Sequence, residues 1–208
     1  MIDLHNIDCM EYMKDQPDNS FELAIVDPPY GIDAANMTMG KGSGLDVGSI
    51  KKKNWDKATP KRDYFEELKR VSVNQIIWGG NYFLDYLGAT RCFLLWDKLD
   101  YNSDFASHEL AWTSFNKNVK CYQRARSSQG DAKGKIHPTQ KPVKLYQWLL
   151  NNYAKEGDRI LDTHLGSGSS AIAAHYGGFD FVGCELDEDY YKAAKERFDL
   201  ETAQEALF

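Results

Sequence analysis

Four consecutive residues, Asp27, Pro28, Pro29 and Tyr30, place a carboxylate, two prolines and an aromatic ring directly after the apolar segment 21–26. Proline has a fixed φ and no N–H, so the two prolines contribute only acceptors and hold the carboxylate in place. Two such acceptors can bind the N–H groups of an exocyclic amino group on a nucleobase and draw its nitrogen toward a reactive, pyramidal form. Tyr30 supplies a ring on which the base can stack. Taken alone, the segment also fits an acidic turn with a packed tyrosine.

A second segment, 158–191, has the pattern of a strand, a glycine loop, a helix and another strand that ends at Glu185. Gly166 and Gly168 let the backbone approach a ligand closely, and an acid at the end of the next strand can accept hydrogen bonds from ribose hydroxyls. The pattern also fits a dinucleotide fingerprint, or only a tight turn before a helix. Asp162 favours a cationic nucleoside such as S-adenosylmethionine, because a carboxylate there would repel a pyrophosphate.

The elements that must position these residues are those of an α/β sheet covered by helices, because short β-rich segments alternate with helical patterns. The predicted strands are 21–26, 74–78, 91–96, 108–115, 158–162 and 179–185, and the predicted helices are about 61–71, 142–154, 168–175 and 189–203. Ligands bind at the carboxyl ends of strands in such sheets. Asp27 and Gly166 are therefore expected to face one crevice.

The length and composition predict an ordinary globular protein. The 208 residues are expected to form a single domain, 1–208, because that length is close to the usual domain size. No apolar segment reaches the ~20 residues of a bilayer-spanning helix, and the first residues lack the features of a signal peptide, so a cytoplasmic protein without membrane contact is expected. Cys9, Cys92, Cys121 and Cys184 are far apart in the sequence, which predicts buried thiols and no metal.

Positive charge is concentrated in two segments although the net charge is −6. The first lies in a long loop of about 31–57, which is rich in glycine, methionine, serine and lysine, and the second spans about 116–136. Clustered lysine and arginine predict a localised phosphate-binding surface, although most charged segments are solvated faces. The candidate phosphate contacts are Lys51, Lys52, Lys53, Arg124, Arg126, Lys133 and Lys135.

These motifs and their order resemble those of the amino-methylating DNA methyltransferases, which act on adenine N6 or cytosine N4. Residues 27–30 are similar to the catalytic motif, 161–169 to the cofactor loop, and 137–142 to the segment that precedes that loop. The catalytic motif comes first and the cofactor loop near the C-terminus, as in the beta group. The resemblance implies a Rossmann-like S-adenosylmethionine-dependent methyltransferase fold, with a mainly parallel seven-stranded sheet in permuted chain order.

The same resemblance implies the roles of the site residues. Residues 27–30 are catalytic, Glu185 holds the ribose, Leu186 packs on the adenine, and Thr139 and Lys141 lie near the methionine end. The full set expected to bind the cofactor is Asp8, Cys9, Thr139, Lys141, Asp162, His164, Gly166, Gly168, Ser169, Glu185 and Leu186. Where the family usually has Pro-Phe, this chain has Thr163 and His164, and His164 is expected to fill the volume of that phenylalanine rather than act as a base.

The expected function is S-adenosylmethionine-dependent transfer of a methyl group to N6 of an adenine flipped out of double-stranded DNA, in a restriction-modification or phage context. Asp27 favours adenine, because related cytosine-N4 enzymes usually carry serine there. Only about twenty residues separate the strand 108–115 from the segment 137–142, too few for a separate recognition domain. Recognition then falls on the second basic segment, on the long loop or on a partner chain, which leaves a homodimer open.

Several alternatives stay open. The same chemistry could act on cytosine N4, on RNA or on a protein amide. The chain could also be a non-catalytic binding module of the same fold, although its intact motifs speak against that. A dinucleotide oxidoreductase is a more distant alternative.

Overall fold

The structure is a computed structural model that describes residues 1–33, 56–101, 106–125 and 136–203. Its strands are β1 (Ile2–Asn6), β2 (Phe21–Val26), β3 (Ser72–Trp78), β4 (Phe93–Asp97), β5 (His108–Thr113), β6 (Lys120–Gln123), β7 (Arg159–Asp162) and β8 (Asp180–Glu185). Its helices are α1 (Cys9–Lys14), α2 (Arg62–Val71), α3 (Leu84–Leu87), α4 (Val143–Tyr153), α5 (Ser169–Tyr176) and α6 (Glu188–Ala203), with a 3₁₀ turn at Gly80–Tyr82.

The described strands form one sheet in the order β1-β8-β7-β2-β3-β5-β4-β6. Neighbours from β1 to β3 run parallel, β5 is antiparallel to both β3 and β4, and β6 is parallel to β4. The expected mainly parallel sheet in permuted order is confirmed, since β2 and β7 are neighbours in space but distant in sequence. The expected number of seven strands is wrong for the described residues. The eighth strand, β6, extends the edge beside β4.

The six strands and four long helices expected from the sequence are all present, whereas two edge strands and the shorter helices were not anticipated. Edge strand β1 is half-buried and β6 is mostly exposed, so neither has the continuous apolar pattern of a central strand. The six-residue α1 is too short for a helical period, although Asp8 caps it by accepting a hydrogen bond from the Met10 N–H at 2.8 Å.

Hydrophobic residues cover both faces of the sheet, so the molecule has three layers. Alternate residues of β2 point to opposite faces, as expected for a strand. Leu23 and Ile25 belong to the cluster that contains the buried residues of α4 and α5, while Ala24 and Val26 pack in the cluster with α2 and the Met13 side chain. None of the described helices has the length and apolar character that a bilayer-spanning segment requires. The single-domain boundary 1–208 stays a prediction.

The loop between β7 and α5 is held close to α6 by a glycine. Gly168 has a φ of +75°, and a Cβ at this position would lie 3.2 Å from the carbonyl oxygen of Ala194 in α6. A side chain would meet both backbone strain and a crowded neighbour. The glycine therefore lets the loop turn into α5 directly beside α6.

Candidate active site

The carboxyl ends of β2, β7 and β8 border a cavity of about 1120 Å³. Asp27, Pro28, Pro29 and Tyr30 form part of its wall. Eight of the eleven residues expected to bind the cofactor also line it, namely Asp8, Cys9, Thr139, Lys141, His164, Gly166, Glu185 and Leu186. The structure thus brings the two sequence motifs together at one edge of the sheet.

Asp27 lies at the end of β2, and both of its carboxylate oxygens have a partner. Oδ1 accepts a hydrogen bond from the Tyr30 hydroxyl at 2.5 Å, and Oδ2 accepts one from the ammonium group of Lys141. Burial raises the pKa of Asp27 above its usual value, although Lys141 opposes that shift. Burial and then the Asp27 carboxylate raise the pKa of Tyr30, so its hydroxyl remains a hydrogen-bond donor.

The Tyr30 ring is enclosed by the segment that follows β3. It stacks on Tyr82 with ring centroids 5.1 Å apart and an interplanar angle of 16°. Gly79 has a φ of +65°, and a Cβ there would overlap the Tyr30 ring. The turn after β3 therefore fixes the ring that the sequence predicts as the stacking surface for a base.

Asp27 is the first of four side chains of alternating charge that extend into the wall of the cavity. The second of them, Lys141, is 3% exposed. Its Nζ lies 3.1 Å from Oε2 of Glu109, whose Oε1 lies 2.6 Å from Nζ of Lys98. Lys98 also donates to the carbonyl oxygen of Ala106 at 3.1 Å. This row, Asp27–Lys141–Glu109–Lys98, is called the charge row below.

The charges of this row stabilise one another against burial. Burial alone would lower the pKa of Lys141, but the carboxylates of Asp27 and Glu109 raise it above its usual value. Burial likewise works against an ionised Glu109, but Lys141 and Lys98 lower the pKa of that carboxyl to about 2. Lys141 and Glu109 are therefore both charged at neutral pH.

Glu185 lies at the end of β8 and lines the cavity on the side of the glycine loop. Its Oε2 accepts a hydrogen bond from the Gly166 N–H at 2.9 Å, and its Oε1 accepts one from the Asp187 N–H at 3.0 Å. The Leu186 side chain is 70% exposed at the cavity wall. Burial raises the pKa of Cys9 to about 12, so its thiol is neutral there.

His164 also lines this end of the cavity. Burial lowers its pKa to about 4, so the imidazole is neutral at neutral pH. Its Nδ1 lies 2.9 Å from the Thr163 hydroxyl, and its ring packs edge-on against Tyr64 with centroids 5.4 Å apart. These contacts suit the expected space-filling role.

Three residues of the expected cofactor set lie behind the cavity wall. Asp162 is 1% exposed and accepts hydrogen bonds from the His164 N–H at 3.0 Å and the Ser170 hydroxyl at 2.6 Å. Burial raises its pKa to about 7. Ser169 is buried next to Ser167 and Arg197, and Gly168 packs on α6. All three hold the shape of the glycine loop.

Most of the candidate phosphate contacts lie outside the described residues, namely Lys51, Lys52, Lys53, Arg126, Lys133 and Lys135. Arg124 is described and follows β6. Its backbone N–H donates to the Asp97 carbonyl at 2.9 Å, and its own carbonyl accepts a hydrogen bond from the Trp96 indole at 2.8 Å. The long loop expected to face the target is described only at its two ends, 31–33 and 56–57.

The sequence reasoning missed Glu109 and Lys98 and did not anticipate that Lys141 contacts Asp27. One signal was available for Glu109, which is a charged residue near the start of the otherwise largely apolar segment 108–115. No local pattern connects Lys141 to Asp27, because they lie 114 positions apart along the chain.

This chain is similar to known DNA methyltransferases in sequence and in fold. Residues 75–196 match the family model described as DNA methylase. The Type II methyltransferase M2.DpnII of Streptococcus pneumoniae is 24% identical over 247 residues, covering 97% of this chain and 90% of that protein. The solved M1.HpyAVI–SAM complex has a TM-score of 0.65 at 18% identity, covering 96% of this chain and 100% of that one. The PvuII DNA methyltransferase, described as cytosine-N4-specific, has a TM-score of 0.65 at 13% identity, covering 95% and 86%. At these identities the two structures establish the fold.

Proposed function

Since the chain belongs to the DNA methylase family, we propose that it transfers a methyl group to the N6 amino group of an adenine flipped out of duplex DNA. DNA methylation and the donor S-adenosylmethionine follow from the family, and both agree with the sequence predictions. The choice of adenine, the duplex and the flipped base belong to the proposal. The observation that carries it is the Asp27 carboxylate at the end of β2, in the same cavity as Glu185 and Gly166.

The Glu185 end of the cavity fits the methyl donor. The carboxylate oxygens of Glu185 can accept the ribose hydroxyls, and the exposed Leu186 side chain offers an apolar surface to the adenine. A Cβ at Gly166 would approach no atom closer than 3.8 Å, so space remains above the loop for a ligand. When bound, S-adenosylmethionine supplies an electrophilic methyl group on a sulfonium.

The Asp27 end of the cavity provides the chemistry at the amino group. The carboxylate accepts an amino N–H, which increases the electron density on the nitrogen as it forms its bond to the methyl carbon. With S-adenosylmethionine bound, this transfer would break the carbon–sulfur bond of the sulfonium, and Asp27 is placed to take the proton that the nitrogen then loses. The ring of Tyr30 supplies a stacking surface for the base.

The identity of the modified base supports or contradicts the proposal directly. Duplex DNA is incubated with the protein and S-adenosylmethionine, digested to nucleosides and analysed by mass spectrometry. N6-methyladenine is the expected product. N4-methylcytosine without N6-methyladenine would contradict the choice of base, and parallel incubations with RNA and with protein would reveal a different polymer.

A further inference from the structure

The charge row presents a problem for the reaction at Asp27. Oδ1 already accepts the Tyr30 hydroxyl and Oδ2 already accepts the Lys141 ammonium. A target amino group needs one of these oxygens as an acceptor, and a charge-assisted hydrogen bond to an ammonium is a strong competitor. Each carboxylate oxygen can accept a second hydrogen bond, but Oδ2 is a weaker acceptor for the amino group while it binds a cation, so the reaction is favoured when Lys141 moves away.

Lys141 can move away only if another negative charge receives it. Its side chain is 3% exposed, and a buried ammonium without a counterion is strongly destabilising. Glu109 Oε2 lies 3.1 Å from Nζ, and within the described residues no other group bonds to this buried oxygen. The other oxygen of Glu109 is held by Lys98 at 2.6 Å. Glu109 is thus an ionised acceptor with one oxygen available to Lys141.

We propose that Glu109, fixed by Lys98, is a positioning residue that receives the Lys141 ammonium and so releases Oδ2 of Asp27 to the target amino group. This inference rests on the proposed function, because it assigns a task to Glu109 within the same site. Lys141 is then shared between two carboxylates 82 positions apart in the sequence, one at the end of β2 and one in β5.

The same sharing determines how strongly Asp27 binds a proton. Five groups from neighbouring segments surround its carboxylate, namely Tyr30, Lys141, Glu109, Tyr146 of α4 and Asp162 of β7. The Lys141 ammonium lowers the pKa of Asp27, whereas the Glu109 carboxylate raises it. Removal of the Glu109 charge should therefore lower the pKa of Asp27 and bind Lys141 more tightly to it.

The test compares single-turnover methyl transfer by the full chain and by its Glu109→Gln variant across pH. Glu109→Gln should be at least tenfold slower at neutral pH, with a cofactor Kd within about threefold of the parent. The acid limb of its rate profile should lie at lower pH, because Asp27 loses its proton at a lower pH. Glu109→Asp should keep more of the rate. Glu22→Gln, at the exposed start of β2, serves as the matched control and should leave the rate unchanged.

A double variant separates positioning from a merely structural role. If Glu109 acts through Lys141, then Glu109→Gln should cost little further rate in a Lys141→Met background, because no ammonium remains to be moved. Two independent structural losses would instead multiply. A rate for Glu109→Gln equal to that of the parent, or its full loss of rate repeated in the Lys141→Met background, would overturn the inference.

A measurement without substrate distinguishes this inference from the proposed function. Carbon-13 labelling of aspartate, with Asp27 assigned through Asp27→Asn, gives the pKa of Asp27 by NMR in the parent and in Glu109→Gln. A lower pKa in the variant is expected even if the parent methylates no base in DNA, a result that would reject only the proposed function. An unchanged or higher pKa would reject the shared Lys141.

Discussion

Asp27 has to meet two opposing conditions at the scale of single residues. It must be ionised to accept an N–H, yet its burial raises its pKa and so favours the protonated form. Lys141 opposes that effect, which explains why a buried cation lies against the candidate catalytic acid. The cost is that the ammonium weakens the acceptor oxygen that the substrate needs.

Glu185 gives the residue-scale prediction for the methyl donor. Glu185→Ala removes the acceptors expected to bind the ribose hydroxyls, and also the acceptors of the Gly166 and Asp187 N–H groups. Hydrogen bonds to a charged group are each worth about 1.5–3 kcal/mol, so the cofactor Kd should rise at least tenfold. Calorimetric titration measures this, with Glu196→Ala on the exposed face of α6 as the control. An unchanged Kd would remove the ribose assignment.

The sequence could indicate the candidate site only where local pattern carries the information. Asp27 and Glu185 stand at the ends of predicted strands, so their types and positions suggest their roles. The charge row joins three distant parts of the sequence, because only Lys98, directly after β4, and Glu109 of the neighbouring β5 lie near each other in the chain, and nothing local encodes which carboxylate a lysine contacts. The contact of Asp162 with the cofactor stays a prediction, and its hydrogen bonds from the His164 N–H and the Ser170 hydroxyl were not foreseen from the sequence.

At the scale of elements, the site depends on how closely the glycine loop packs against α6. The central strands and long helices that support it were predictable, because each has a buried apolar pattern of the right period. The close approach of Gly168 to α6 was not, since it depends on the tertiary contact with Ala194. Because of this contact, a side chain at Gly168 is expected to lower the stability of the fold rather than to obstruct the ligand.

A pair of glycine variants tests that packing. Gly168→Ala and Gly178→Ala both place a side chain at positive φ, +75° and +71°, which costs about 1–2 kcal/mol. Only at Gly168 would the Cβ meet a close neighbour, whereas at Gly178 it meets nothing within 4 Å. Urea denaturation should show a loss of unfolding free energy that is larger for Gly168→Ala by about 1 kcal/mol or more. Equal losses of unfolding free energy in the two variants would show that α6 shifts to accommodate the added methyl group without further cost.

At the scale of the whole molecule, an acidic protein with a net charge of −6 has to bind a polyanion. In the sequence, the long loop directly follows the catalytic residues 27–30, and the second basic segment directly precedes the segment 137–142 that contains Lys141. The seven candidate phosphate contacts belong to the long loop and the second basic segment, so positive charge is expected to face the DNA while the acidic surface lies elsewhere.

Salt dependence tests that division of charge. Each phosphate contact contributes a slope of about −0.9 to the dependence of log K on log salt. With most of the candidates engaged, the Kd for duplex DNA should rise roughly 10³-fold between about 50 and 200 mM salt. Replacing Lys51, Lys52 and Lys53 by alanine should reduce the slope by about 3, whereas Lys192→Ala on α6 should not change it. A Kd independent of salt would contradict the assigned surface.

The central claim is that the Asp27 carboxylate performs the chemistry rather than holding the methyl donor. Single-turnover transfer of labelled methyl groups to duplex DNA by Asp27→Ala, with the cofactor Kd measured on the same sample, tests it most directly. Methyl transfer should be abolished while the Kd stays within about tenfold of the parent, a difference of ~1.4 kcal/mol or less. A variant that keeps most of its turnover would contradict the role assigned to Asp27.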